Sequence, residues 1–239
     1  MARGKYDIVY AVKDSGPNEE LRYSLRSVEK NWGPHGVVWI FGGCPENLRP
    51  DRHVPVAMLP ELSKWENTHR LLRTICQNDE ITEDFWYFND DFFVMKPTSE
   101  DMPQQYNNTL GDVVRTVEGY KGGVTEWTKR LRTLMDLADR EGFGTINYEV
   151  HRPILINRRR MLEVMDLYHG TPCLRSLYGN CYDIGGENTG DILITDRHAG
   201  IEWVKKMDPV FISTTEDSFP GPVGRYIMER FPEKCGYEK

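Results

Sequence analysis

The strongest constraint on the fold is an apolar and aromatic run from Phe85 to Val94 that is interrupted by Asn89, Asp90 and Asp91. A near-continuous apolar run predicts a strand buried on both faces of a sheet. Unpaired carboxylates in such a place cost several kcal/mol, and a divalent cation such as Mn²⁺ or Mg²⁺ commonly neutralises adjacent acidic oxygens. The run therefore predicts a metal site at the end of a core strand, suited to a diphosphate group.

Strand and helix signals alternate through the first part of the chain. Strands are predicted at 6–12, 37–41, 54–58 and 85–94, the third of them weakened by Pro55. Asn18 suits a helix N-cap, and helical periodicity follows it and recurs from Trp65 to Cys76. This alternation predicts an α/β fold with a mostly parallel or mixed central sheet flanked by helices. Ligands of such sheets bind beyond the carboxyl ends of the strands, so the loops after Val12, after Phe41 and at Asn89 should meet at one crevice.

The remainder of the chain is less regular. Residues 103–124 are expected to form a loop with short elements, helices are predicted at 125–140, 158–168 and 224–231, and strands at 191–195 and 209–213. No boundary in composition divides the chain. We therefore expect a single domain over residues 1–239.

Composition excludes several classes of protein. Hydrophobic residues make up 39% and charged residues 28%, which is ordinary for a globular protein, and a net charge of −7 disfavours a protein that coats nucleic acid. No run of about 18 apolar residues occurs, so no membrane span is predicted. The five cysteines are odd in number and widely spaced, which favours free thiols. No apolar leader segment is seen, and a cytoplasmic location is expected.

Candidate metal ligands and proton-transfer groups follow from residue type and context. Asp91 is the first metal candidate, with Asp90 and His198 as further ligands; alternatively, the two aspartates cap a turn or pair with arginines. His151 begins an apolar strand and suits proton transfer, although a histidine there is often structural. Glu187 and Asp191 lie in a glycine-flanked loop that suits a substrate-facing base or, equally, an exposed acidic turn.

Candidate residues for binding a ligand with a diphosphate group lie at the predicted crevice. They are Ala11, Val12, Gly42, Gly43, Asn89 and Asp90 at strand ends, and Lys64, Asn67 and Arg70 in the first turns of the second helix. A helix N-terminus favours an anionic group. The alternative for the helix residues is an ordinary solvated face. Arg158, Arg159 and Arg160 are interpreted as a solvated helix start rather than a phosphate site.

Several segments together resemble the Stealth family of sugar-phosphate transferases, within the GT-A-like nucleotide-sugar transferases. The matching segments, in order, are 7–10, 20–30, 87–93, 151–153 followed by 161–163, and 231–234 with 237–238; the second resembles the family's Glu-Leu-Arg-Tyr-Ser-Leu-Arg-Ser helix. The chain departs from the family pattern at Ala11, Val12 and Lys13, where a Trp-Val-Asn-like stretch is typical. The resemblance implies a Rossmann-like GT-A fold, with residues 1–100 as the nucleotide-binding half and 101–239 as the acceptor-side half.

The expected function is that of a metal-dependent glycosyltransferase that moves a sugar from a UDP- or GDP-sugar to an acceptor hydroxyl. The resemblance implies the alternative that a sugar 1-phosphate is transferred. A metal phosphohydrolase and a non-enzymatic sugar-binding module are further alternatives. A glycan, a small metabolite or a modified DNA base could each serve as the acceptor.

Overall fold

The computed structural model describes residues 4–13 and 16–239. The strands are β1 Asp7–Val12, β2 Val38–Gly42, β3 Arg52–Val54, β4 Asp84–Asn89, β5 Phe92–Val94, β6 Gln105–Tyr106, β7 Ile154–Asn157, β8 Glu187–Asn188 and β9 Phe211–Ser213. The helices are α1 Glu19–Asn31, α2 Lys64–Gln77, α3 Leu110–Lys121, α4 Glu126–Glu141, α5 Arg158–Leu167, α6 Leu174–Cys181, α7 Glu202–Met207 and α8 Pro222–Arg230.

The chain forms two compact units. The first comprises the chain up to Met102 together with His151–Ile156 and Ile192–Lys239, and the second comprises Pro103–Val150 and Asn157–Asp191. The predicted division of function at residue 100 stays a prediction. The described helices are each too short or too polar to cross a lipid bilayer.

A five-stranded sheet in the order β3-β2-β1-β4-β7 forms the centre of the first unit. β1 pairs in parallel with both β2 and β4, and β2 pairs in parallel with β3. Ala11 lies opposite both Phe41 and Asn89, so the carboxyl ends of three strands share one rim, as predicted. The α/β fold with a mostly parallel central sheet flanked by helices is thereby confirmed.

Helix α1 is fixed by its cap and its apolar stripe. The Asn18 side chain accepts a hydrogen bond of 2.8 Å from the backbone N–H of Leu21, which satisfies one of the free donors of the first turn. Leu21, Leu25 and Val28 are fully buried at helical spacing. The predicted cap and helix are therefore confirmed.

The polar residues of α1 anchor other segments of the unit. The Ser24 hydroxyl donates to the carbonyl of Phe92, and the Ser27 hydroxyl accepts a bond of 2.9 Å from the N–H of Val94. The Arg26 guanidinium makes a two-bond ion pair of 2.5 and 2.9 Å with the buried Glu238 carboxylate. Side chains of the segment that resembles the Stealth family thus hold β5 and the C-terminal segment.

The prediction of one strand from 85 to 94 is wrong. β4 ends at Asn89, Asp90 and Asp91 form a turn, and β5 pairs antiparallel with β9 in a separate two-stranded sheet. Phe85 to Phe88 and Phe92 to Val94 are all buried. The interrupted apolar run therefore supplies two buried strands that belong to different sheets. The carboxylates lie in the turn between them, where both residues are half-buried.

Two other strand predictions are corrected. The third strand lies at Arg52–Val54 rather than 54–58, because Pro55 has no N–H with which to continue the ladder. The segment 191–195 forms only an isolated bridge between Leu193 and Ser213.

In the second unit, the segment expected as a loop contains helix α3. Thr109 and Asp112 form a capping box at its start, and Gly122 ends it in the left-handed conformation at φ 72°. The expectation of a loop at 103–124 is thus wrong for Leu110–Lys121, where the capping box and the terminal glycine are helix signals that the sequence itself contains. Helix α4 begins at a second capping box, formed by Thr125 and Thr128, close to its predicted start.

Candidate active site

Two adjacent carboxylates lie in the turn that follows β4. The Asp90 Oδ2 atom accepts a hydrogen bond of 2.6 Å from the side-chain amide of Asn18. The Asp91 Oδ2 atom accepts a bond of 3.1 Å from the hydroxyl of Ser213 at the end of β9. The Asp91 Oδ1 atom is buried and has no hydrogen-bond partner. A buried carboxylate oxygen without a donor is costly, and it therefore indicates a position intended for a ligand.

Glu20 supplies a third carboxylate that the sequence analysis did not select. Its side chain is 9% exposed and accepts a hydrogen bond from the hydroxyl of Thr214. The backbone N–H of Thr214 lies 3.4 Å from the carbonyl of Asp91, so the segment after β9 contacts both acidic positions. The sequence signal for this contact is the Ser-Thr-Thr-Glu run at 213–216, which begins at the last residue of β9.

Burial and the charges of neighbouring carboxylates disfavour the ionised state of these carboxyl groups. Burial, with the charges of Asp91, Asp90 and Glu216, raises the pKa of Glu20 to about 7. Burial and the charge of Asp90 raise the pKa of Asp91 to about 6. Burial, with a contribution from Glu216, also raises the pKa of Asp90. The arrangement therefore has a deficit of positive charge.

Two basic residues partly offset the rise in the pKa values of Asp90 and Asp91. The charge of Lys64, an exposed residue in the first turn of α2, lowers the pKa of Asp90, and the charge of His151 lowers the pKa of Asp91. His151 is half-buried and belongs to the same unit. The structure thus brings together Asp90, Asp91 and His151, which are far apart in the chain.

The residues fit a divalent cation that completes its coordination with substrate. Mg²⁺ in such sites is commonly held by one or two carboxylates together with water and phosphate oxygens, and the buried Asp91 Oδ1 offers such a ligand. Within residues 4–13 and 16–239, no three His, Cys, Asp or Glu side chains are grouped so as to hold a metal ion. The predicted set of Asp90, Asp91 and His198 therefore does not form one group. His198 is exposed, and its backbone N–H donates to Asp196.

The predicted donor loops lie at the rim of the sheet. Val12 is buried, and its carbonyl accepts a bond of 3.1 Å from the N–H of Gly43. Gly42 has φ 103°, and a Cβ there would lie 1.9 Å from the carbonyl oxygen of Val12. Its own carbonyl accepts from His53 at 3.0 Å, if the histidine carries its proton on that nitrogen. The positions of Ala11, Val12, Gly42, Gly43 and Asn89 agree with the predicted rim, and their contact with nucleotide stays a prediction.

Two of the residues predicted on α2 to bind the donor, Asn67 and Arg70, form hydrogen bonds within the fold. The Asn67 side chain is 6% exposed, accepts from the N–H of Leu59 at 2.9 Å and donates to the carbonyl of the same residue at 2.9 Å. Its interactions are those of a residue that fixes the loop before the helix. The Arg70 guanidinium donates to the carbonyl of Ala57. Lys64 is thus the member of this group whose charge reaches the acidic turn.

The other two candidate bases belong to the second unit. Glu187 is exposed in β8, where its backbone N–H donates to Gln104 at 2.8 Å, and Asp191 is half-buried at the end of the unit. Their catalytic roles stay predictions.

A cleft of about 600 Å³ adjoins the acidic turn within the first unit. Its lining residues are Lys13, Gly16, Pro17, Asn18, Glu19, Glu20, Asp90, Glu216, Phe219, Pro220 and Met228. The volume falls in the range of sites for small molecules. Asp90 and Glu20 thus belong both to the acidic cluster and to the wall of a cleft.

No protein-family model and no curated protein sequence matches the chain, so the resemblance to the Stealth family stays a prediction. Among solved structures, it is similar to galactosyltransferase LgtC in complex with donor and acceptor sugar analogs, with 15% identity and a TM-score of 0.47 over 98% of each chain. The chain is also similar to an active-site mutant of LgtC, with 15% identity and a TM-score of 0.45 over 98% of each chain.

The apo form of glycosyltransferase GlyE in Streptococcus pneumoniae TIGR4 gives 10% identity and a TM-score of 0.41, over 97% of this chain and 61% of that one. Similarity at these values is weak. The function must therefore be inferred from the residues of the chain itself.

Proposed function

We propose that this protein is a cation-assisted glycosyltransferase that uses a nucleotide-diphosphate sugar. The observation that carries the proposal is the acidic turn after β4, in which Asp91 Oδ1 is buried without a hydrogen-bond partner. The turn follows the carboxyl end of a central parallel strand, where α/β sheets bind their ligands. The same turn lines a cleft of sufficient size for a sugar.

The acidic residues would hold the cation, and the basic residues would receive the donor. Asp91, with Asp90 beside it, offers carboxylate oxygens to Mn²⁺ or Mg²⁺, and Glu20 adds negative charge behind them. When bound, the cation offsets the charge that develops on the leaving diphosphate. Lys64 would bind the donor's phosphate oxygens from the first turn of α2.

The reaction requires a group that accepts one proton. The acceptor hydroxyl attacks the anomeric carbon, the bond from that carbon to the diphosphate oxygen breaks, and the diphosphate leaves with the electron pair. The hydroxyl proton passes to a base. His151 is the candidate whose charge is felt at Asp91, and Glu187 and Asp191 are the alternatives.

Transfer of a sugar 1-phosphate is the second form of this chemistry. Attack would then fall on the β-phosphorus, and a nucleoside monophosphate would leave. The helix that resembles the Stealth family does not discriminate between the two forms, because Ser24, Ser27 and Arg26 are engaged in structural contacts. The nucleotide product distinguishes them directly.

The donor is tested first by binding. Thermal unfolding is measured with a panel of UDP- and GDP-sugars, with and without Mn²⁺, since a bound donor raises the apparent stability by mass action. We expect one donor to raise Tm in the presence of Mn²⁺ and to do so much less in its absence. No shift with any donor would contradict the proposal.

The reaction is then tested with that donor and three classes of acceptor: glycans, small metabolites and DNA with modified bases. Release of a nucleoside diphosphate with a glycosylated acceptor supports glycosyl transfer, and release of a monophosphate supports sugar-phosphate transfer. Free sugar formed at the same rate with and without any acceptor would indicate a phosphohydrolase or glycohydrolase. Binding without turnover would indicate a sugar-binding module.

A further inference from the structure

The lining of the cleft beside the acidic turn combines apolar surface with negative charge. Its apolar members are Pro17, Phe219, Pro220 and Met228. Of the four lining carboxylates, Glu19 is paired with Arg22 at 3.1 Å, which leaves Glu20, Asp90 and Glu216. Lys13 is the one basic residue among the lining residues that the structure describes.

The three remaining carboxylates line the same cleft. Glu216 lies more than 100 residues away along the chain from the other two, and the fold brings it beside them. They therefore share one electrostatic environment. An anionic ligand in the cleft would add a further like charge.

The apolar part of the cleft is closely packed against the rest of the unit. Phe219 is 5% exposed, and its ring is stacked on Phe93 with centroids 5.7 Å apart. A Cβ on Gly224 would lie 1.7 Å from the Phe219 carbonyl oxygen, so helix α8 packs closely against this residue. The N–H of Phe219 donates to the carbonyl of Thr215 at 2.9 Å, which closes the turn that carries Glu216. These contacts fix the positions of Phe219 and Glu216 in the cleft wall.

Such a lining suits a sugar better than it suits a diphosphate. Carboxylates accept hydrogen bonds from hydroxyl groups, and apolar side chains pack on the C–H faces of a pyranose ring. A diphosphate placed in the cleft without the cation would face these carboxylates, and like-charge contacts oppose binding. The nucleotide part of the donor therefore has its counter-charges elsewhere, at the cation and at Lys64.

We propose that this cleft is the acceptor subsite, and that its carboxylates, chiefly Glu216 because Asp90 and Glu20 also serve the cation site, restrict it to acceptors without negative charge. The inference rests on the proposed transfer reaction and names its acceptor class: neutral or amine-bearing sugars, and neither DNA nor sugars that carry carboxylate or phosphate. Asp90 joins the cleft to the site of transfer, since it lines the cleft and neighbours Asp91.

One test uses three glucosides that differ only at C6: methyl glucoside, its 6-amino-6-deoxy derivative and methyl glucuronide. Binding is measured by saturation-transfer NMR without donor, and turnover is measured with the donor found above. We expect the glucuronide to bind and react at least about tenfold less well than the other two. Glu216→Gln should reduce this discrimination, whereas Glu229→Gln, an exposed change on α8 outside the cleft lining, should retain it. Equal use of the glucuronide by the unmodified protein would overturn the inference.

A second test depends on neither donor nor acceptor. Met228→Cys places a thiol in the cleft, and its rates of modification by cationic and anionic methanethiosulfonates are compared, with the parent protein correcting for Cys44 and Cys181. We expect the cationic reagent to react about tenfold faster, and Glu216→Gln to lower this ratio. Equal rates would overturn the inference. A clear charge preference in a protein that shows no turnover would contradict the proposed function and leave the cleft's selectivity standing.

Discussion

Asn18 joins the start of helix α1 to the acidic turn through a hydrogen bond of 2.6 Å from its side-chain amide to Asp90 Oδ2, across 72 positions of sequence. Its carbonyl oxygen at the same time accepts from the N–H of Leu21 at 2.8 Å. One amide thus caps the helix and orients a carboxylate. Asp91, the next residue, has a buried side-chain oxygen with no hydrogen-bond partner.

Asp91→Asn should abolish cation-dependent transfer, with a loss of at least about 100-fold in turnover, because the charge that would bind the cation is removed while the side-chain shape is kept. The fold should be retained. In cation-free buffer Tm should be unchanged or higher, since repulsion with Asp90 is lost. Turnover with Mn²⁺ and thermal unfolding are measured together, with Asp217→Asn, an exposed change in the same unit, as the control. Retained Mn²⁺-dependent turnover would remove the assigned role.

His151→Ala should lower turnover about 100-fold if the imidazole accepts the acceptor proton. The pH–rate profile should change as well, since the group that accepts the proton is lost. The loss of its positive charge should also raise the pKa of Asp91. A normal rate and an unchanged profile would make His151 a structural residue and leave the proton transfer to Glu187 or Asp191.

The cation-free protein should lose stability as the pH rises from about 4 to 7. The pKa of Glu20 is raised from its usual 4.5 to about 7, and that of Asp91 from 3.8 to about 6, so the folded state binds more protons than the unfolded state in this range. Their deprotonation therefore destabilises the folded state. Tm is measured across this range in the presence of a chelator.

Glu20→Gln removes one of these titrating groups and should make the same pH dependence shallower. Saturating Mn²⁺ should also reduce it, because a bound cation favours the charged carboxylates. A Glu20→Gln protein with the slope of the parent would show that this carboxyl titrates normally.

Arg26→Met should destabilise the protein by about 3 kcal/mol, because Glu238 would be left buried without its main partner. The side chains of the pair are 5% and 4% exposed. Denaturant unfolding measures the loss. Lys129→Met is the control, since the side chains of the Lys129–Glu126 pair are 60% and 80% exposed and the pair should contribute little to stability. Equal effects of the two changes would contradict the structural role of the buried pair.

Gly42→Ala should destabilise the rim of the sheet by about 2 kcal/mol or more, because φ is 103° and the new Cβ would lie 1.9 Å from the Val12 carbonyl oxygen. Gly119→Ala is the matched control. It lies within α3 with no neighbouring atom within 4 Å of the new Cβ, and it should stabilise the protein by about 0.5 to 1 kcal/mol. Unfolding midpoints in denaturant compare the two changes.

Local patterns in the sequence predicted the elements that depend on neighbouring residues. The N-cap at Asn18, the periodicity of α1 and the start of α2 at Lys64 were found in this way, since capping and amphipathic spacing act within a few residues. The strand alternation also predicted that the ends of β1, β2 and β4 share one rim. Helix α3 was not predicted, because the glycines in and near it favour a loop while its capping box favours a helix.

Amino-acid order alone was sufficient to identify Asp90 and Asp91 as unusual, because two charges beside a buried apolar run need compensation wherever the chain folds. It did not reveal that the run divides between two sheets, or that Glu20, Ser213 and Thr214 meet this turn. Those contacts arise when β9 pairs with β5 and α1 packs beside them. Burial and charge repulsion depend on distances through space, which are established only when distant segments pack together.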